Sequence, residues 1–244
     1  MSGHSHLAGI KHKKAVTDAQ RARTFTKAGY LIALAAQEGG GNPAINFKLK
    51  LAIDRAHAVN LPKENIDRAI KKGSGELSDG AYIEELLYAA SFALNKESPC
   101  VILIEVATDN RNRTVSEIKA ILAKNGAKFI VSTSIQFLFR RVGRIVLAKQ
   151  NSGPQEELLA IDAGAEDLLK KNGFLVVFTE VTALQKVSDT LRHRGLSILS
   201  AELIYRPLQL LPLTTKQRKF YDTLAVALEE QDDVQNIFSN ASTE

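Results

Sequence analysis

The chain has 244 residues, 45% hydrophobic and 24% charged, a globular balance that excludes a disordered polyelectrolyte and leaves room for one to three domains. No stretch nears the roughly 18 apolar residues of a bilayer span, and the lone Cys100 excludes an internal disulfide. The net charge of +5 is unevenly placed: residues 1–72 hold 13 Lys and Arg against 5 Asp and Glu, whereas the remainder holds 19 against 22. A cationic third of the chain joined to a near-neutral body points to a module that faces a polyanion.

In chain order, the segment 15–38 is predicted as a helix, with Val16, Ala19, Ala22, Phe25, Ala28, Ile32 and Ala35 in one apolar stripe. Gly39-Gly40-Gly41 should end it, and Asn42-Pro43 should cap and open a second helix carrying Leu49, Ala52, Ile53, Ala56 and Val59 inward. After Asn60-Leu61-Pro62, a short third helix places Ile66, Ala69 and Ile70 inward. The glycine- and serine-rich segment 73–80 reads as a linker. Strands are then expected over 83–89 and 100–108, the second nearly continuous in Val, Ile and Leu, with Cys100 buried at its start. A helix over 112–125 and strands over 135–140 and 144–148 follow. Beyond them come a helix from 153 to 163, a strand over 173–179, a helix over 184–194, a strand over 198–205 and a helix over 216–230. Strands and helices mixed in this way favour an α+β fold over a doubly wound parallel sheet.

Catalytic signatures are missing. There is no Gly-x-Ser-x-Gly elbow, no His-Glu-x-x-His, no phosphate loop and no dinucleotide fingerprint, so neither catalytic residues nor a cofactor are expected. Gly39-Gly40-Gly41 follows no strand, and Pro43 removes an amide donor, so it reads as a turn rather than a phosphate cradle. His4, His6 and His12 form no metal-ligand pattern, and no metal is expected. His57 and His193, beside basic residues, read as surface positions. The carboxylates Asp162, Glu166 and Asp167, and likewise Asp232-Asp233, read as solvated faces rather than acid–base pairs.

The candidate binding residues are basic. Lys11, His12, Lys13 and Lys14, followed by Arg21, Arg23 and Lys27, should line the polar side of the first helix. Lys48, Lys50, Arg55, Lys63, Arg68, Lys71 and Lys72 extend the charge over the bundle. A second candidate is the strand-to-helix junction 108–114, where Asn110, Arg111, Asn112 and Arg113 supply donors at a positive helix end. The same junction also has a structural reading, with Asp109 or Asn110 as helix cap and the arginines paired to acids.

At these residues the chain resembles the YebC family of bacterial probable transcriptional regulators and mitochondrial translational activators. The resemblance rests on Gly3-His4-Ser5, the basic run 10–14, Gly39-Gly40-Gly41-Asn42-Pro43, the segments 60–66 and 69–76, 108–114, 162–167, Ala201-Glu202-Leu203 and 232–236. The chain departs from the family pattern at His6-Leu7, at 89–94 and after Gly126, where family aromatic or glycine positions are replaced.

The resemblance implies an N-terminal helical bundle followed by two ferredoxin-like α/β domains, one inserted in the other. The implied boundaries are 1–80, 81–131 with 206–244, and 132–205. It also implies association with nucleic acid or the ribosome and no enzymatic turnover. The expected function is a non-enzymatic regulator of gene expression on ribosomal or messenger RNA. Duplex-DNA-binding transcriptional regulation is the alternative, and a ligand- or protein-interaction module a further one. With no signal sequence visible the expected location is the cytoplasm, or the mitochondrial matrix for a processed organellar chain.

Overall fold

The structure is a computed structural model that describes residues 18–77, 82–93 and 99–242. It is α+β and divides into two compact units, one built from residues up to Phe139 together with those from Pro207 on, the other Arg140–Arg206.

The first unit opens with α1 (Asp18–Gly39), α2 (Phe47–Ala58) and α3 (Lys63–Gly73). Gly40 takes φ +81° and donates its N–H to the Ala36 carbonyl at 2.8 Å, which closes α1 in the left-handed turn that glycine adopts without strain. The second helix starts four residues later than Asn42-Pro43 implied. Asn42 accepts from the Ala44 N–H in a local turn, and Asn46 is the cap, its Oδ1 accepting from the Leu49 N–H at 3.0 Å. Asn46 wins the role because its amide also donates to the carbonyls of Ala35 (2.7 Å) and Gly40 (2.8 Å), tying α2 to the end of α1. Ala28, Ile32, Ala35, Leu49, Ala52, Ala56, Leu61, Ile66 and Ala69 form the bundle core. Its many alanines let the helices approach closely. At Gly73 a Cβ would lie 2.0 Å from the Ala33 carbonyl oxygen, so α3 ends in contact with the α1 backbone.

The bundle adjoins a four-stranded sheet of β1 (Glu84–Ala93), β2 (Pro99–Thr108), β3 (Lys128–Ile130) and β8 (Val234–Ser239), ordered β3-β1-β2-β8 with antiparallel neighbours. One face is covered by α4 (Arg111–Lys124) and α7 (Thr215–Glu229), where Ile102, Ile104 and Val106 meet Ile118, Leu122, Tyr221, Leu224 and Leu228. On α1, Ala33 and Leu34 pack with Ile83 and with Ala107 of β2. Cover on both sides explains the nearly continuous apolar run of β2, broken only at Glu105. Cys100 is fully buried there, and burial pushes its thiol up to about 12.

The second unit runs β4 (Phe139–Leu147), α5 (Pro154–Ala163), β5 (Asp167–Lys171), β6 (Phe174–Thr179), α6 (Leu184–His193) and β7 (Ile198–Pro207), in sheet order β5-β6-β4-β7. A βαββαβ chain with that order is the ferredoxin-like arrangement. The first sheet has the same four-strand, two-helix layout threaded differently, because the hairpin β1–β2 leads and α4, β3, α7 and β8 follow.

Residues 135–138 are not strand, as their apolar character suggested: 132–134 and 136–138 form 3₁₀ turns. The strand instead begins at Phe139 and runs through Gly143 without a break. Gly143 is required there by close packing, since a Cβ would fall 2.3 Å from Thr179 Oγ1.

Candidate nucleic-acid interface

Lys11, His12, Lys13 and Lys14 lie outside the described residues, as do His4 and His6. The cations of α1 are not a free polar face. Arg21 is exposed, its guanidinium 5.3 Å from the Phe25 ring centroid. Arg23 sits between Glu230 (3.8 Å) and Asp232 (3.9 Å), acids of the corner that joins α7 to β8. Lys27 turns inward and donates to the Glu229 carbonyl. Burial lowers its pKa to about 8, against the opposing pull of Glu229. Arg55 donates to Asn236 Oδ1 at 3.3 Å, and Lys48 pairs with Glu38 at 2.6 Å. Thus Arg23 and Lys48 are countered by carboxylates, while Lys27 and Arg55 are held by neutral oxygen atoms.

α3 differs. Lys63, Arg68 and Lys71 are exposed and form no ion pair among the described residues, and Lys72 lies half-buried with its ammonium 5.8 Å from the Tyr30 ring centroid. Helical spacing brings Arg68 and Lys72, four residues apart, to one face. They overlook a cleft of about 390 Å³ between α1 and α3, lined by Phe25, Thr26, Gly29, Tyr30, Ala33, Leu61, Asn65, Arg68, Ala69, Lys72 and Ile83. The cleft combines aromatic rings, neutral hydrogen-bonding groups and two cations over an apolar floor. The charge of α3 was legible in the sequence, but the cleft was not. Its available signal was Tyr30, an aromatic that falls outside the apolar stripe of α1 and follows a mid-helix glycine.

The 108–114 junction resolves towards its structural reading for two residues. Asn110 caps α4, accepting from the Arg113 N–H at 3.1 Å. Arg113 donates to Asp109 at 3.2 Å and to Asp233 at 3.1 and 3.2 Å, which raises the guanidinium further above its usual pKa. Asp233, expected on a solvated face, is 1% exposed and also accepts from Thr114 Oγ1 at 2.6 Å and Gln231 Nε2 at 3.2 Å. Arg111 and Asn112 remain exposed in the first turn of α4. Arg23, Thr26, Tyr30, Arg113, Glu117, Glu230, Gln231, Asp232 and Asp233 line a second cleft of about 480 Å³. Its four carboxylates against two guanidiniums make it a poor seat for phosphate. In the other unit Asp162, Glu166 and Asp167 pair with Arg194 (3.9 Å), Arg140 (2.8 Å) and Arg206 (2.7 Å).

No helix among the described residues is long and apolar enough to cross a membrane, and no group of three or more His, Cys, Asp or Glu side chains among them could hold a metal ion.

The sequence matches two family models. That described as the TACO1/YebC protein N-terminal domain covers residues 5–76, and that described as the TACO1/YebC second and third domain covers residues 92–241. A probable transcriptional regulatory protein of Caldanaerobacter subterraneus is 42% identical over 246 residues, covering 100% of this chain and 99% of that protein. A probable transcriptional regulatory protein of Pelotomaculum thermopropionicum is 41% identical and covers 100% of both. A crystal structure of a conserved hypothetical protein from Aquifex aeolicus superposes with a TM-score of 0.86 at 36% identity, covering 98% of this chain and 97% of that one. With both models and full-length relatives in agreement, the chain belongs to the TACO1/YebC family.

Proposed function

We propose that this protein is a non-enzymatic, nucleic-acid-binding regulator of gene expression that acts in translation, on messenger RNA or on the ribosome, in the cytoplasm. The observation that carries the reading is α3. Three of its cations are exposed without an ion-pair partner among the described residues, and Lys72 beside them leans on Tyr30, whereas Arg23 of α1 is already paired with Glu230 and Asp232. Exposed ammonium and guanidinium groups displace counterions from a phosphate chain, so binding should weaken steeply with salt. In this reading residues 1–80 form the polyanion-facing domain, while 81–131 with 206–244 and the inserted 132–205 are the bodies that position it. The test is crosslinking in cells followed by sequencing of the recovered nucleic acid, together with sedimentation at low salt. Recovery of RNA and co-sedimentation with ribosomes are expected; free sedimentation with no crosslinked RNA overturns the translational reading.

A second reading, regulation of transcription on duplex DNA, is favoured by the names of the relatives, which call them probable transcriptional regulatory proteins. Tight binding of a promoter fragment against excess competitor DNA, lost on Arg→Ala changes, would select it.

A further inference from the structure

We infer that the cleft between α1 and α3 receives one unpaired base of a single-stranded nucleic acid, with the neighbouring phosphate held by Arg68 and Lys72. The inference rests on the nucleic-acid reading above and narrows it from a charged surface to a built subsite.

Four features of the cleft converge. At about 390 Å³ it lies within the range of small-ligand sites. Phe25 and Tyr30 line it, and aromatic rings are the platform on which a base of any sequence stacks. Asn65 offers donors and an acceptor for a base edge, and Thr26, whose hydroxyl donates to the Ala22 carbonyl, offers an acceptor, while Arg68 and Lys72 supply positive charge at the margin. The fourth feature is Gly29. It lies in the middle of α1, where glycine weakens a helix, yet a Cβ built there meets nothing within 4 Å. Neither a tight contact nor an unusual backbone angle demands glycine at this position. What the glycine preserves is open space over the cleft.

A duplex cannot use such a subsite without unstacking, since its bases are already covered on both faces. A strand with free bases can. The cleft therefore predicts a preference for single strands over duplexes that the surface cations alone would not produce.

Gly29→Leu tests this directly, because the new side chain enters the empty space without a backbone clash and replaces a poor helix former with a good one. The full chain, wild type and variant, is titrated by fluorescence anisotropy against adenylate strands of about a dozen nucleotides, ribose and deoxyribose, and against the matching duplexes. We expect Gly29→Leu to melt at or above the wild-type temperature while losing about ten- to a hundredfold in affinity for the single strands. Duplex binding should stay nearly unchanged. Gly29→Ala, which fills less of the cleft, should lose less, and Lys72→Met, which removes a phosphate contact rather than filling the cleft, should also weaken single-strand binding. The ribose and deoxyribose arms identify which strand supplies the base. Undiminished single-strand binding by Gly29→Leu overturns the subsite and leaves the nucleic-acid function standing; so does an equal loss on strand and duplex. If the wild type binds neither strand nor duplex, the functional reading itself fails.

Discussion

At the residue scale, the chain uses close contact where its composition suggested only generic turns. Gly73 opens the stretch whose composition predicts a linker, but the Ala33 carbonyl occupies the place of its missing side chain. Gly73→Ala should destabilise the first unit by about 1–3 kcal/mol, measured by urea denaturation, because the obstacle is backbone and cannot rotate away. Lys27 shows the opposite kind of surprise. Its charge is plain in the sequence, but its burial depends on Glu229 and Asp232, some 200 residues away and invisible to any local pattern. Its folded pKa of about 8 lies below the ordinary 10.5, so the unfolded chain holds the extra proton between those values. The cost of burying the ammonium is fully present below about pH 8 and relieved as pH rises towards 10.5. Stability measured across that window should therefore rise more in the wild type than in Lys27→Met; equal profiles would contradict the assignment. Asp233 likewise gave no sequence signal, because its partners Arg113 and Thr114 lie far away along the chain.

At the element scale, all seven α-helices of the described residues were legible in the sequence, the first four from apolar residues recurring every three or four positions and the last three from end signals at Pro154, Gly195 and Thr214. The missed strands failed for separate physical reasons. β3 spans only three residues, too few for a pattern. β5 carries charged side chains, although Asn172 (φ 52°) and Gly173 (φ 81°) after it form the two-residue turn that marks a hairpin, a signal that was present in the sequence. β8 is buried along its whole length yet contains Gln235, Asn236 and Ser239, whose polarity conceals it; Asn236 donates to Glu105 at 2.8 Å and Ser239 to Tyr221 at 3.0 Å. The basic character of α3 was fully legible, and its consequence is measurable. Lys63→Gln, Arg68→Gln and Lys71→Gln together should leave the melting temperature within about a degree, since exposed charges without partners contribute little to stability. The same triple change should lower the slope of log affinity against log salt by roughly 2–3. An unchanged slope would remove α3 from the contact surface.

At the scale of the whole molecule, the second unit enters and leaves the first at one point. The Leu208 N–H donates to the Leu138 carbonyl at 2.9 Å, so the two strands of chain that bound Arg140–Arg206 lie side by side. Replacing that segment with a short glycine linker should leave the first unit cooperatively folded, as judged by circular dichroism and a single thermal transition. Loss of folding would mean that the insert is structurally required.

The partnership of β2 with β8 carries a consequence for how the chain is made. The ribosome delivers β2 long before β8, with the whole insertion in between, so the nascent protein displays an unfilled hydrogen-bonding edge on a largely apolar strand while more than half the polypeptide is still to come. During synthesis that edge is a target for neighbouring chains, and a message broken ahead of codon 234 would leave it open for good.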